Sequence, residues 1–293
     1  MKEKIKIVVV GNCQARPLAK ILESLNPRID VTTTAIVHLL KNENFEEYQP
    51  AFDEADLIVS QLVFDSYPCE FVRTSVLKER YGKKVLSIVN LYFTGYTPDW
   101  FYIRIPGKGP LKGPMGDYHN RTIFDAWQSG KSISEASSRI LSEEYNQKYV
   151  SEPSHSLDLL REREEIVDVK ITDVIDKYQT KKRLFFTFNH PSMFLIRRYA
   201  KRILAAANIS EKWKFFPARD REALDQFVPL ANPATGLPDG DFTTFKGVEY
   251  FFKDDFVAIR NKRKEYNASE LVSCFYDIYE TLDSTLNLSG KGN

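Results

Sequence analysis

Residues 5–25 read IKIVVVGNCQARPLAKILESL. The apolar run Ile5, Ile7, Val8, Val9 and Val10 predicts a strand buried on both faces, and Leu18, Ile21, Leu22 and Leu25 fall at helical spacing on one side of a following helix. Between the two lies Gly11-Asn12-Cys13-Gln14. A strand that stops at glycine and resumes as a helix makes the tight turn on which α/β proteins display reactive groups at the carboxyl edge of a sheet. Pro17 fits a first helical turn, where its missing N–H has no partner to lose. Cys13 is therefore expected at or just before a helix amino end, where backbone N–H groups and the helix dipole favour a thiolate and lower the thiol pKa from about 8.5.

Outward from this turn the chain repeats the theme. Ile29–Thr34 is β-branched enough for a second strand, Ala55–Gln61 for a third and Lys84–Asn90 for a fourth, with a polar, ambiguous stretch at Leu39–Tyr48 and a helix at Phe71–Tyr81 closed by Gly82. Strands separated by helices require crossovers and hence a parallel sheet. The strands end in small or polar residues (Gly11 and Asn12, Ser60 and Gln61, Asn90), which would line one edge. Residues 91–120 are rich in aromatics, glycine and proline, too long and too apolar for an idle linker, and read as an ordered irregular region over that edge. Helices are expected at 121–129, from Ser132 or Ser134, at Pro153–Glu165 and at Thr172–Tyr178. Leu184–Phe188 reads as a buried fifth strand, with Asn189 or His190 capping a helix whose Pro191 sits in the first turn and whose basic face carries Arg197, Arg198, Lys201 and Arg202. Beyond Ala207 follow Trp213–Phe216, a loop with four prolines between Pro217 and Pro238, an aromatic stretch at Val248–Phe252, a helix at about Ala268–Leu286, and a frayed tail from Ser289. The expected division is an α/β domain over 1–207 with the inserted 91–120 loop, and a C-terminal extension over 208–293 packed on it.

Forty-one basic and forty acidic residues leave a net charge of +1, which gives no reason to expect nucleic acid binding. Three cysteines without CxxC spacing indicate neither a disulfide framework nor a cysteine zinc site, and no metal is expected. No apolar stretch approaches the roughly 20 residues needed to cross a bilayer, and the first apolar run is too short for a signal-peptide core. The expectation is a cytoplasmic protein without membrane insertion. G-x-x-x-x-G-K-[ST], G-x-G-x-x-G and HExxH are absent, which argues against a P-loop enzyme, a standard dinucleotide site and a zincin.

Three residues offer catalytic chemistry. Cys13 is the candidate nucleophile, although a free cysteine beside a buried strand is commonly just a small hydrophobe. His190, at the end of the fifth expected strand, is the favoured base, with helix capping as the plain alternative. His119, in Gly116-Asp117-Tyr118-His119-Asn120, competes for that role. Backbone N–H groups after Gly11 and the side chains of Asn12, Gln14 and Gln61 are candidate oxyanion donors, with Asn189 and Tyr118 as further substrate contacts. Asp117, Asp158 and Asp173 are open candidates to orient the base; His38 and His155 read as surface residues.

The GNCQ turn, the segment Gly113–Asn120 (GPMGDYHN) and Phe188–Ser192 (FNHPS), in this order, resemble the WcbI family of polysaccharide biosynthesis proteins. The resemblance spans roughly residues 5–205. It implies an α/β three-layer sandwich with a mainly parallel central sheet, a variant of the SGNH-hydrolase and flavodoxin-like plan, plus helical and irregular C-terminal additions. It implies a coenzyme A-dependent acyltransferase, with acetyl-coenzyme A as donor and a hydroxyl of a sugar or capsular intermediate as acceptor. Cys13 would then stand where SGNH hydrolases carry their serine. Coenzyme A needs cations for its phosphates, for which Arg16, Arg104, Lys108 and Arg197 are candidates. One departure stands out: the usual SGNH histidine follows an aspartate near the chain's end, whereas His190 has no acid just before it and about a hundred residues after it. An SGNH-like esterase acting on acylated glycans and a non-catalytic binding protein remain the alternatives.

Overall fold

The computed structural model describes residues 4–212, 221–254 and 256–288. The expectations for Trp213–Phe216, for Pro217 and for the tail from Ser289 lie outside the described residues. In chain order the elements are β1 (Ile5–Gly11), α1 (Ala15–Leu25), β2 (Ile29–Ile36), α2 (Phe45–Glu54), β3 (Leu57–Gln61), α3 (Thr74–Tyr81), β4 (Val85–Ile88), α4 (Arg121–Gln128), α5 (Ile133–Leu141), α6 (Glu152–Glu164), α7 (Thr172–Tyr178), α8 (Met193–Ala206), the hairpin β5 (Phe245–Lys253) and β6 (Phe256–Tyr266), and α9 (Ala268–Leu286). Short two-residue pairings punctuate 100–120. The chain forms two compact units, Met1–Tyr92 with Leu157–Tyr178 and Asn189–Ala223, and Phe93–Ser156 with Gln179–Phe188 and Leu224–Asn293. This differs from a cut at residue 207, because the aromatic segment after residue 92 shares its core with the C-terminal hairpin and helix.

In the first unit four strands lie in the order β2-β1-β3-β4, all parallel. Ile7, Val8, Val9 and Val10 are fully buried. Val8 and Val10 join Phe52, Ile58, Phe71, Leu77 and Val85 in one cluster beneath α2 and α3, so alternation sends Ile7 and Val9 to the opposite face. On α1 the buried stripe is Leu18, Ala19, Ile21, Leu22 and Leu25, and α1 packs against α8. Tyr199 of α8 donates its hydroxyl to the Val169 carbonyl at 3.0 Å and accepts the Val89 N–H at 2.9 Å, joining the helix to the end of β4. The result is the α/β sandwich with a parallel central sheet that the first strand predicts.

Two local expectations fail for identifiable reasons. Leu184–Phe188 is buried but is not a strand. Its backbone is satisfied largely by side chains instead: Arg183 donates to the carbonyls of Phe185 and Phe186 at 2.9 and 3.0 Å, and to that of Pro229 at 2.5 Å, the Leu184 N–H donates to the Tyr96 hydroxyl at 3.1 Å, and the Phe188 carbonyl accepts the Phe93 N–H at 2.7 Å. A buried guanidinium with five donors takes the carbonyls that a neighbouring strand would otherwise engage. Nor do Asn189 or His190 cap α8; the cap position is Ser192, and the Met193 N–H donates to the Glu222 carboxylate at 2.8 Å. A residue before proline is pushed out of the helical region, which keeps His190 outside the helix.

The second unit is built on aromatic packing. Trp100, Met115, Tyr118, Phe124, Phe188, Phe227, Phe245, Phe275 and Tyr279 are all buried there, between α4, α5, α9 and the hairpin. Ser132 caps α5 in a reciprocal box with Glu135, and Asn267 caps α9 in the same way with Glu270. The hairpin passes so close to the 113–116 turn that Val248 N–H bonds the Pro114 carbonyl at 2.9 Å, and a Cβ added at Gly247 would overlap that same oxygen. Gly247→Ala is therefore expected to destabilise the protein by about 1–3 kcal/mol, read as a lowered midpoint in thermal unfolding; an unchanged midpoint would show that the turn yields without cost.

Candidate active site

The turn after β1 is held by two glutamines. Gly11 has no Cβ because Gln61 Oε1 lies 2.6 Å from where that atom would stand, and the same oxygen accepts the Asn12 N–H at 2.8 Å. Gln61 Nε2 donates to Gln14 Oε1 at 2.9 Å, and Gln14 Oε1 also accepts the Leu91 N–H at 3.0 Å. Gln14 Nε2 donates to the Leu91 carbonyl at 2.7 Å and to the Asn189 carbonyl at 2.9 Å. Both glutamines are buried. Every hydrogen-bonding position of the Gln14 amide is thus occupied, so it positions the turn rather than serving as an oxyanion donor, and the Asn12 N–H is likewise taken by Gln61. The Asn12 carbonyl oxygen Oδ1 accepts from Gln14 N–H at 3.0 Å and lies 3.9 Å from Cys13 Sγ. What the turn can offer to a developing oxyanion is the Asn12 side-chain NH2, on half-buried Asn12.

Cys13 stands two residues before α1, where the sequence places it. The backbone N–H groups of Cys13 and Gln14 favour its thiolate, but burial outweighs them and raises the thiol pKa above its ordinary value, the reverse of the sequence expectation. His190 follows directly on the Asn189 carbonyl that Gln14 holds. Burial lowers the His190 pKa to about 4, so its imidazole is neutral near pH 7. At rest near neutral pH, Cys13 is therefore a neutral thiol and His190 a neutral imidazole.

A crevice of about 220 Å3 opens beside the turn, at the carboxyl ends of the strands. Gly11, Asn12, Gln61 and Asn90 form its polar end and Val37, Leu62, Val63, Phe64 and Tyr67 its apolar walls. This is where the strand order reverses around β1, the position at which open parallel sheets bind ligands. Sequence reading missed these wall residues, since they lie in loops without periodicity. It also missed Arg163, a half-buried cation on α6 whose guanidinium reaches Asn90 Oδ1 at 3.4 Å and the Tyr92 carbonyl at 3.3 Å; in the sequence it is one of several charges on a charged helix.

The other candidates are dispersed. His119 belongs to the second unit, fully buried, with Nδ1 2.8 Å from the Tyr279 hydroxyl and Nε2 3.1 Å from the Leu111 carbonyl; both nitrogens are engaged in core bonds, which does not fit a base for substrate. Tyr118 lies in the same core and accepts from Thr187 Oγ1 at 3.1 Å. Arg104 and Lys108, also in the second unit, stack over Tyr102 and Phe256. Arg16 is exposed in the first turn of α1, and Arg197 is half-buried on α8. On that helix Arg202 is committed to Asp173 at 2.6 Å and Lys201 to Glu211 at 2.7 Å. Asp158 pairs with Arg161 and Asp117 with Lys112, so each of the three acids proposed to orient a base is held by a cation instead.

The family described as "Polysaccharide biosynthesis enzyme WcbI" matches residues 6–212. The chain belongs to the WcbI family. A solved structure described as WcbI, a polysaccharide biosynthesis enzyme, in its native form without a disulfide bond between coenzyme A and one of its cysteines, shares this fold with a TM-score of 0.70 at 20% identity, covering 98% of this chain and 99% of that one. No match was found among curated proteins. For this WcbI-family chain, no helix among the described residues is long and apolar enough to cross a membrane.

The two buried histidines make stability depend on pH in a defined direction. His119 and His190 each have a folded pKa of about 4 against an ordinary 6.5, so between those values the unfolded chain binds more protons, and stability falls as pH falls from 6.5 towards 4. The contribution of one such histidine is about 3 kcal/mol across the full window. In urea unfolding at a series of pH values, His119→Gln is expected to flatten this dependence; a slope equal to that of the unaltered protein would show that His119 is not kept neutral by burial.

Proposed function

We propose that this chain is a coenzyme A-dependent acyltransferase that carries an acyl group from the coenzyme's thioester to a hydroxyl of a sugar intermediate in polysaccharide biosynthesis. The observation that carries this reading is Cys13, held by the Gln14–Gln61 network at the sheet's ligand-binding edge, beside an apolar crevice and the Asn189-His190 turn. Two findings support it: the family is one of polysaccharide biosynthesis enzymes, and the neighbouring structure's description pairs coenzyme A with a cysteine. The residues suit a thioester. The walls Val37, Val63, Phe64 and Tyr67 accept its apolar part, Arg16 and Arg163 are cations in the same unit for phosphate oxygens, and a thiol exchanges readily with a thioester because the two sulfur leaving groups are similar.

In this mechanism Cys13 Sγ attacks the thioester carbonyl as its proton passes to the neutral His190 imidazole. Asn12 Nδ2 donates to the oxygen on which charge develops. His190 returns the proton to the departing coenzyme sulfur, leaving the acyl group on Cys13, and then accepts the proton of the sugar hydroxyl as that oxygen attacks. The Cys13 thiol is restored when it takes that proton back. Because the thiol pKa is raised and that of the imidazole is low, proton transfer and attack are concerted.

Native mass spectrometry of the purified protein with acetyl-coenzyme A, followed by peptide mapping, is the direct test. A retained coenzyme adduct and an acetyl mark on Cys13 are expected. Cys13→Ala is expected to remove the mark and the transfer activity, and His190→Ala to slow transfer by about 10²–10⁴-fold. Full activity in Cys13→Ala would sink the nucleophile, and turnover of a simple aryl ester without any coenzyme binding would favour an esterase.

A further inference from the structure

The crevice beside the Cys13 turn has a polar end and apolar walls, and the two differ in what they can bond. At the polar end Asn12 Oδ1 accepts the Gln14 N–H at 3.0 Å, and Asn90 Oδ1 accepts from Arg163 at 3.4 Å. A backbone N–H and a guanidinium can only donate, so each amide turns its oxygen to that partner and keeps its NH2 to offer. That end suits a carbonyl oxygen.

The walls are committed elsewhere. The Leu62 N–H donates to the Ile88 carbonyl at 2.7 Å, and Val63 is tied twice to Thr74, its N–H to the hydroxyl at 2.9 Å and its carbonyl to the Thr74 N–H at 3.0 Å. The Tyr67 hydroxyl donates to the Val37 carbonyl at 3.2 Å, and the Tyr67 N–H to the Phe64 carbonyl at 3.0 Å. With these backbone groups spent, Val37, Leu62, Val63 and Phe64 present carbon. Among the described residues none that lines the crevice is charged. Its volume of about 220 Å3 is more than ten times the roughly 10–15 Å3 needed for one water. A methyl group is close to a water in size, so acetyl would fill only a small part of it.

We propose that, given the acyl-transfer reading on which this rests, the crevice takes the hydrocarbon tail of the transferred acyl group, and that the donor is a straight-chain thioester longer than acetyl, of the butanoyl-to-hexanoyl class. Such walls can hold only one half of a coenzyme thioester. The pantetheine arm carries two amides and a hydroxyl, which need partners when they leave water, and the nucleotide carries phosphates that need cations. An acyl chain needs neither and gains from apolar surface alone. With the carbonyl oxygen at the Asn12 end, the chain extends along Val37 and Val63 towards Phe64, which is 56% exposed. In the loading step Cys13 Sγ forms the new bond to the acyl carbon, the bond to the coenzyme sulfur breaks, and the thiol proton ends on the coenzyme thiol. Chain length therefore alters binding and leaves the chemistry the same.

The test is the rate at which the full chain is acylated on Cys13, read by intact mass and peptide mapping, with acetyl-, butanoyl- and hexanoyl-coenzyme A. Each added methylene is expected to raise the second-order rate about fourfold, so that hexanoyl exceeds acetyl by about tenfold or more. Val63→Phe, which narrows the crevice, and Phe64→Ala, which removes an exposed part of its wall, are each expected to lower the hexanoyl-to-acetyl ratio by about threefold or more. Phe64→Ala decides the matter if Val63→Phe does not fold. Acetyl loading as fast as hexanoyl would overturn the proposal and leave the acyl-transfer reading standing. A ratio unchanged in the variants would do the same, because the crevice would then hold a part that all three thioesters share. No acyl mark on Cys13 from any of the three would overturn both.

Discussion

A primary amide buried without partners costs several kcal/mol, and Gln14 is buried with all of its positions filled. Its four bonds join the turn after β1 to the end of β3, to the chain leaving β4 and to the turn before α8, segments 47, 77 and 175 residues away in sequence. Gly11 is part of the same construction, since any side chain there would displace Gln61. Cys13 is therefore presented by a turn with little freedom, and the Gln14 amide that holds it has no hydrogen-bonding capacity left for a substrate. That is the physical reason Gln14 can position Cys13 without bonding a substrate itself.

The electrostatics of the turn illustrate a competition rather than a single rule. A helix amino end offers N–H groups and a partial positive charge to a thiolate, and both Cys13 and Gln14 N–H groups lower the thiol pKa as expected. Removal from water raises it by more. The same removal lowers His190 to about 4. Cys13 and His190 are thus both uncharged at rest, a pairing that avoids burying an ion pair.

In the second unit a buried cation does the work of a strand partner. Arg183 is 7% exposed, bonded to three carbonyls and to Asp239, and although burial lowers its pKa to about 10 it stays charged at neutral pH. Two of the three carbonyls it gathers, those of Phe185 and Phe186, belong to the segment whose apolar composition reads as a strand. Composition records that such a segment is buried; it does not record what satisfies the backbone, and here a guanidinium, a tyrosine hydroxyl and the Phe93 N–H share that task.

Local pattern alone determined much of this protein. The run at Ile7–Val10, the restart of helical spacing after Gln14 and the repetition of strand and helix up to residue 90 specify a parallel α/β sheet with Cys13 at its carboxyl edge, because periodicity and turn chemistry are properties of neighbours in sequence. The capping boxes of α5 and α9 are legible for the same reason. Tertiary structure decided what depends on distant partners: that Gln14 and Gln61 bond each other, that His119 is spent on Tyr279 and Leu111, that α8 is capped by Glu222, and that residues 93–156 share a core with the C-terminal hairpin. A side chain's hydrogen-bonding capacity is written in the sequence, but whether it is left over for a substrate depends on which groups folding brings within three ångströms of it.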